Sequence, residues 1–133
     1  MSVGYLLDTC AWLDAFNEPQ LLRPETRSLI NQLTMIQVAS ISLLEVSRKA
    51  ETGDLLLSAP IERWFQAVLP PGKSQVLEIT PEIAVEACRL PAEFHKDPAD
   101  RLIVATARLK NLVVITSDHK ILGYPHVRSL ASR

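Results

Sequence analysis

Cysteine and long apolar runs are both scarce in this sequence. The two cysteines, Cys10 and Cys88, do not have the spacing of a cysteine metal site. We expect free thiols in a reducing compartment, with a single disulfide as the alternative. No apolar stretch reaches the roughly 18 residues of a membrane-spanning helix, and the apolar segment at residues 3–7 is too short for a signal peptide. The sequence therefore predicts a soluble, cytoplasmic protein without a membrane partner.

Internal repeats and low-complexity linkers are also absent. The chain has 133 residues, of which 47% are hydrophobic and 22% are charged. It is long enough to bury a core and too apolar to be disordered. We predict one domain that spans residues 1–133.

The net charge of −1 conceals an uneven distribution along the chain. Residues 1–95 carry 7 basic and 12 acidic side chains, whereas residues 96–133 carry 7 basic and 3 acidic ones. A basic C-terminal quarter beside an acidic site suits a polyanionic substrate. Chance segregation of charges on solvated faces is the alternative explanation.

Short apolar segments alternate with helical patterns along the whole chain. We predict strands over residues 3–7, 35–39, 76–79, 112–116 and 127–130. Helices are predicted at 10–13 with Thr9 as the cap, at 25–33, 61–68, 81–89 and 98–110, and from a capping box of Ser42 and Glu45 to Gly53. Strands that alternate with helices form a parallel sheet with helices on both faces, so the predicted class is α/β.

Four acidic residues lie where these segments meet: Asp8, Glu45, Asp100 and Asp118. Asp8 follows the first predicted strand and Asp118 follows the fourth, while Glu45 and Asp100 lie in the first turns of helices. Strand ends and helix starts converge on one edge of a parallel sheet, so we expect the four carboxylates to share one pocket. Carboxylates that share a pocket repel each other, and a hard divalent cation such as Mg²⁺ or Mn²⁺ relieves that repulsion. The pattern favours a metal-dependent phosphodiester hydrolase.

Each acid also has a purely structural explanation. Asp8 suits a helix cap, Asp118 suits a turn, and Glu45 suits the capping box with Ser42. Asp97 precedes Pro98, which favours Asp97 as the cap of that helix. Capping does not explain why Asp97 and Asp100 both lie at one helix start, or why all the acids are predicted at the same edge of the sheet.

Several other polar residues lie close to these acids in the sequence. Hydroxyl groups suited to orienting a water in the site are those of Thr9, Thr116 and Ser117. Candidate contacts to the phosphates of a substrate are Arg48, Lys49 and Arg101, and neutralisation of Glu45 is the alternative role of the first two. The three histidines lack the spacing of a zinc site, and we expect His95, His119 and His126 at the surface.

Four stretches of the chain, in order, resemble those of a known family. They read YLLDT, SISLLEV, HKDPADRLIVATA and VITSD. Together they resemble the PIN-domain ribonucleases, in particular the VapC-like toxins of type II toxin–antitoxin systems, over essentially the whole chain. The departures are Cys10, where relatives often carry a small polar residue or histidine, and Ala99, where an aromatic residue is frequent. Neither departure removes an acid.

The resemblance implies a PIN-like three-layer α/β/α fold with a central, mainly parallel sheet. It also implies Mg²⁺- or Mn²⁺-dependent endonucleolytic cleavage of RNA, with a cognate antitoxin protein as partner and a homodimeric state. Asp8, Glu45, Asp100 and Asp118 take the family's catalytic and metal-binding positions, and Asp97 is an accessory acid.

Three other classes of protein also have an acidic pocket on an α/β sheet, and each is an alternative for this chain. An aspartyl phosphatase requires a second acid two residues after its nucleophile, where this chain has Cys10. A phospho-acceptor module usually has paired acids after the first strand and a closing lysine, for which only Asp8 and Lys120 are available. An inactive PIN-like binding module is the third alternative.

Overall fold

The computed structural model describes residues 3–133, which form one five-stranded sheet flanked by helices. The strands are β1 (Gly4–Leu7), β2 (Ile36–Ala39), β3 (Ser74–Leu77), β4 (Leu112–Thr116) and β5 (Ser129–Ala131). The helices are α1 (Thr9–Asn17), α2 (Pro24–Gln32), α3 (Ser40–Thr52), α4 (Ile61–Val68), α5 (Pro81–Cys88), α6 (Pro98–Lys110) and α7 (His119–Leu122), with a short 3-10 turn at Pro19–Leu21.

The sheet is entirely parallel and has the strand order β3-β2-β1-β4-β5. The chain proceeds from β1 outward to β2 and β3, then returns to the other side of β1 as β4. This reversal leaves a crevice outside the carboxyl ends of β1 and β4, which is where open α/β sheets bind ligands. The register pairs Leu7 with Ile115, so the residues that follow them, Asp8 and Thr116, lie side by side in that crevice.

Two hydrophobic cores cover the two faces of the sheet. Leu6 and Val114 belong to the core shared with α5, α6 and α7, whereas Leu7 and Ile115 belong to the core shared with α1–α4. Consecutive residues of one strand point to opposite faces, so a continuous apolar run supplies both cores. The predicted three-layer α/β/α architecture is confirmed.

The start of α3 differs from the prediction. The helix begins at Ser40, directly after β2, and its N-cap Ala39 makes no side-chain capping bond. Ser42 is fully buried, and its hydroxyl lies 2.8 Å from Thr9 Oγ1. The predicted capping box is therefore wrong, because Ser42 and Glu45 both interact with α1 instead.

Other differences are confined to the ends of elements. Asp8, and not Thr9, caps α1, because Asp8 Oδ1 accepts a hydrogen bond from the Ala11 amide. The short helix α7 follows Asp118, where we expected only a turn. β3 begins earlier and β5 later than predicted. The predicted stop of α3 at Gly53 is confirmed, since this residue ends the helix at φ 83°, a conformation that glycine adopts without strain.

None of the helices within residues 3–133 has the length and apolar character needed to cross a membrane.

Candidate active site

Asp8 lies at the base of the crevice, at the junction of β1 and α1. Only 5% of the residue is exposed, and its two carboxylate oxygens have different partners. Oδ1 accepts from the Ala11 amide at 2.8 Å, and Oδ2 accepts from the Thr116 hydroxyl at 2.5 Å. Burial raises the pKa of Asp8 to about 6, although these two hydrogen bonds oppose the shift. Charge repulsion from Asp118 and Glu45 contributes to this shift, so both acids lie close enough to act on Asp8.

Glu45 reaches the site from the second turn of α3. Its carboxylate accepts a hydrogen bond from the Thr9 hydroxyl, and that hydroxyl also contacts Ser42 Oγ. Since Thr9 donates to Glu45, Ser42 must donate to Thr9. This relay joins the first turns of α1 and α3 and fixes the direction of the Glu45 side chain.

Asp97 and Asp100 have different roles at the start of α6. Asp97 Oδ1 accepts from the Ala99 amide at 2.9 Å and from the Asp100 amide at 3.4 Å, which makes Asp97 the N-cap. The Asp100 side chain does not cap the helix and lies 19% exposed beside His95. The sequence prediction that one acid caps while the other faces the site is consistent with these contacts.

Asp118 extends the acidic group on the β4 side of the crevice. Its amide donates to Thr116 Oγ1 at 2.9 Å, and its Oδ1 accepts from the Lys120 amide at the start of α7. Thr116 therefore links Asp118 to Asp8, while Ser117 lies half-buried between Thr116 and Asp118.

The charges of these acids act on one another. The pKa of Asp100 is raised to about 7, chiefly by burial and in addition by repulsion from Asp97, Asp118 and Asp8 and a hydrogen bond with Asp118. The shifts at Asp8 and Asp100 thus connect all five acids in a single electrostatic cluster, which we call the acidic cluster: Asp8, Glu45, Asp97, Asp100 and Asp118.

His95 belongs to this site, contrary to the prediction that it lies at the surface. Its Nε2 is 3.0 Å from Asp100 Oδ2, and the side chain is 20% exposed. His95, Asp100 and Asp118 each offer one atom that could bind a metal ion. These three atoms lie within 4.8 Å of one another, a spacing that suits a metal ion. Its position in the stretch HKDPAD, just before the start of α6, was the only sequence signal for this role.

The three basic residues that we expected at RNA are arranged differently. Arg101 donates to the main-chain oxygens of Ala87, Phe94 and His95, so most of its donors bind the chain itself. A structural role for Arg101 is favoured over the predicted phosphate contact. Arg48 is exposed and Lys49 half-buried, and neither forms an ion pair with Glu45 within the described part of the chain.

The crevice brings together the five carboxylates of the acidic cluster and the imidazole nitrogen of His95. Oxygen-rich sets of this kind bind hard divalent cations, and two or more carboxylates converging on one site are typical of metal-assisted phosphoryl chemistry. The sequence model of the PIN domain matches residues 5–126, which include every member of the cluster. The chain belongs to the PIN-domain family.

Individual relatives agree with this assignment. The chain is 34% identical over 111 residues to Ribonuclease VapC22 of Mycobacterium tuberculosis, which covers 84% of each protein. Among solved structures, a toxin-antitoxin complex from Klebsiella pneumoniae superposes with a TM-score of 0.69 at 23% identity, covering 96% of each chain. VapBC2 from Rickettsia felis, bound to a DNA fragment from its promoter, gives a TM-score of 0.70 at 17% identity and covers 97% of this chain and 98% of that chain. These structural similarities support the PIN fold.

In the absence of metal, the raised pKa values of Asp8 and Asp100 predict how the free energy of unfolding depends on pH. The pKa of Asp8 is about 6 and that of Asp100 about 7, both above the ordinary 3.8, so the folded state holds more protons than the unfolded state between about pH 4 and pH 7. The free energy of unfolding in EDTA should therefore fall as pH rises through this window. Asp100→Asn should reduce that fall, and at pH 8 the variant should be no less stable than wild type. Urea unfolding at several pH values measures both effects.

The matched control for this experiment is Glu51→Gln, which removes an exposed acid near the end of α3. It should keep the wild-type dependence on pH. If the free energy of unfolding has the same dependence on pH in wild type and in Asp100→Asn, the pKa of Asp100 is not raised in the folded protein.

Proposed function

We propose that this chain is a metal-dependent endoribonuclease that hydrolyses RNA phosphodiester bonds in the cytoplasm, as the toxin of a type II toxin–antitoxin pair. The observation that carries the proposal is the convergence of carboxylates from four separate parts of the chain in one crevice. Asp8 follows β1, Glu45 lies on α3, Asp100 on α6, and Asp118 follows β4. Independent helix caps do not require this convergence.

The donor atoms of the crevice fit a divalent cation. Asp8, Asp100 and Asp118 are the proposed ligands, with Glu45 as a further acid. Burial and mutual repulsion raise the pKa of Asp100, and a cation relieves the repulsion. When bound, Mg²⁺ or Mn²⁺ supplies positive charge to the scissile phosphate and lowers the pKa of a water.

The remaining residues of the site position these acids. Thr116 holds Asp8 and the main chain of Asp118 in a fixed relation, and Thr9 directs Glu45 into the crevice. Such supporting hydrogen bonds fix the orientation of the ligands. Asp97 supports the site by capping α6, so that Asp100 is presented from a stable first turn.

Substrate and partner are proposed from the relatives. The relative from M. tuberculosis is named a ribonuclease, and several solved structures of this fold are toxin–antitoxin complexes. RNA as substrate and an antitoxin as partner are consistent with those names. Arg48, exposed on α3 three residues after Glu45, and the half-buried Lys49 beside it are the basic side chains that we propose for phosphate contact.

Cleavage of RNA in the presence of Mg²⁺ or Mn²⁺ tests the activity. Asp8→Asn and Asp100→Asn should each lower the cleavage rate by about 100-fold or more, because charge rather than shape is lost at a proposed ligand. Asp97→Asn should have a milder effect, since asparagine also caps helices well. The rates are measured on a structured RNA, with EDTA as a metal-free reference and circular dichroism to confirm folding.

Glu51→Gln is again the control and should cleave at the wild-type rate. Wild-type activity in both Asp8→Asn and Asp100→Asn would remove these residues from the mechanism. A folded wild-type protein that binds metal and cleaves no RNA would favour the inactive binding module.

Inducible expression in bacterial cells tests the toxin role. Wild type should arrest growth when it is made in the cytoplasm, because its substrate is cellular RNA, whereas Asp8→Asn at an equal level should not. Growth curves and viable counts after induction measure the difference. Arrest that persists in Asp8→Asn would show that the effect does not depend on the acidic cluster.

We also propose that two copies of the chain associate. Helices α5 and α6 expose the apolar side chains of Val85 and Leu109, which are 49% and 39% accessible and line one shallow cavity together. Leu109→Glu should shift a dimer towards monomer, because a charge would be buried in the interface. Leu56→Glu, at a position that is 91% exposed between α3 and α4, is the control. Sedimentation velocity measures the mass; a monomeric wild type would contradict the proposal.

A further inference from the structure

Among the described residues of the crevice, Nε2 of His95 is a buried side-chain atom without a hydrogen-bond partner. Its Nε2 is shielded from solvent and forms no hydrogen bond of acceptable geometry within residues 3–133. The same atom lies 3.0 Å from Asp100 Oδ2, a contact that is an ion pair only when the imidazole is protonated. A buried polar atom that points at a carboxylate without hydrogen-bonding it needs another partner.

The segment that carries His95 is held rigidly. Arg101 Nη1 donates to the carbonyl oxygens of Phe94 and His95 at 3.0 and 3.2 Å. The Phe94 ring packs against the rings of His95 and Tyr124, with centroids 4.5 and 4.7 Å apart. The main chain and the imidazole are therefore fixed before any ligand binds, which is the arrangement that a metal ligand requires.

The surrounding atoms identify the missing partner as a cation. Donor atoms of His95, Asp100 and Asp118 lie within 4.8 Å of one another, and all three are half-buried. An imidazole lone pair and two carboxylate oxygens that converge in this way offer electron pairs to a common centre. A hydrogen-bond donor such as an amide or a hydroxyl group would bind one of these three atoms, whereas a divalent cation can bind all three.

We infer that His95 is a nitrogen ligand of the cation held by Asp100 and Asp118, and that this site consequently takes Mn²⁺ in preference to Mg²⁺. The inference rests on the proposed metal dependence. Mg²⁺ requires near-ideal octahedral oxygen ligation and gives up its waters reluctantly. Mn²⁺ also accepts carboxylate and water oxygens, and as a first-row transition ion it binds an imidazole nitrogen more strongly than Mg²⁺ does. The nitrogen of His95 therefore raises the affinity for Mn²⁺ more than it raises the affinity for Mg²⁺.

Electron spin echo spectroscopy of the Mn²⁺-loaded protein tests this directly. Wild type should show modulation from a nitrogen-14 nucleus bound to Mn²⁺, and His95→Ala should lose it. His126→Ala removes an exposed histidine outside the acidic cluster and should keep it. His95→Gln retains a polar side chain of similar length, and should also lose the modulation, which guards against a folding defect in His95→Ala.

Calorimetric titrations with Mn²⁺ and Mg²⁺ give the second measurement. His95→Ala should raise the Kd for Mn²⁺ by about tenfold or more and leave the Kd for Mg²⁺ nearly unchanged. If His95 only positions Asp100, both constants should rise together and no nitrogen modulation should be seen in wild type, and the inference fails.

The outcomes separate this inference from the proposed function. Mn²⁺ binding without nitrogen modulation, together with loss of RNA cleavage in Asp8→Asn and Asp100→Asn, would overturn the role of His95 and leave the nuclease intact. Absence of binding by either ion to wild type would overturn both the role of His95 and the metal dependence of cleavage.

Discussion

The hydroxyl of Thr116 joins the two halves of the candidate site. It donates to Asp8 Oδ2 and accepts from the amide of Asp118, so one side chain spans the gap between the ends of β1 and β4. This contact exists only because the parallel register pairs Leu7 with Ile115 and places the following residues next to each other. A slip of one residue between these strands would turn the side chains of one strand to the opposite face of the sheet. It would also separate Thr116 from Asp8 and break the link to Asp118. The geometry of the acids therefore depends on the register between two short strands.

The acidic cluster has an energetic cost that the rest of the fold must offset. Burial and mutual repulsion disfavour the ionised forms of Asp8 and Asp100, which their raised pKa values report. Two cores on opposite faces of the sheet, with Leu6, Leu7, Val114 and Ile115 fully buried, supply the stability against which this cost is set. Locally unfavourable charge in an otherwise well-packed molecule is expected where function requires it.

Much of this fold was predictable from sequence because its signals are local. Apolar runs followed by an acid or a turn mark the strands, and Pro98, Gly53 and Asn111 mark helix ends. The start of α3 was not predictable in this way. Its Ser-x-x-Glu pattern is identical to a capping box, and only the contact with Thr9, 33 residues away from Ser42, shows that the hydroxyl is used elsewhere.

The place of His95 was missed for a related reason. Sequence spacing detects metal-binding histidines when their partners lie on the same helix or in the same loop. The partners of His95 are Asp100, five residues later on α6, and Asp118, which follows a different strand. Their proximity is a product of sheet topology, so it cannot be obtained from the spacing of histidines alone.

A carboxylate at a helix start is often treated as either a cap or a functional group, and this site shows why the two are compatible. A carboxylate has two oxygens and accepts several hydrogen bonds. Asp8 caps α1 with Oδ1 and accepts a hydrogen bond from Thr116 with Oδ2. Asp118 caps α7 with Oδ1, and one of its carboxylate oxygens lies within 4.8 Å of potential ligand atoms of His95 and Asp100. Capping fixes the rotation of each side chain, and the remaining oxygen then has a defined direction. The capping bond of Asp118 is thus compatible with a place in the group that it forms with His95 and Asp100, so a capping role does not argue against a functional role for the same residue.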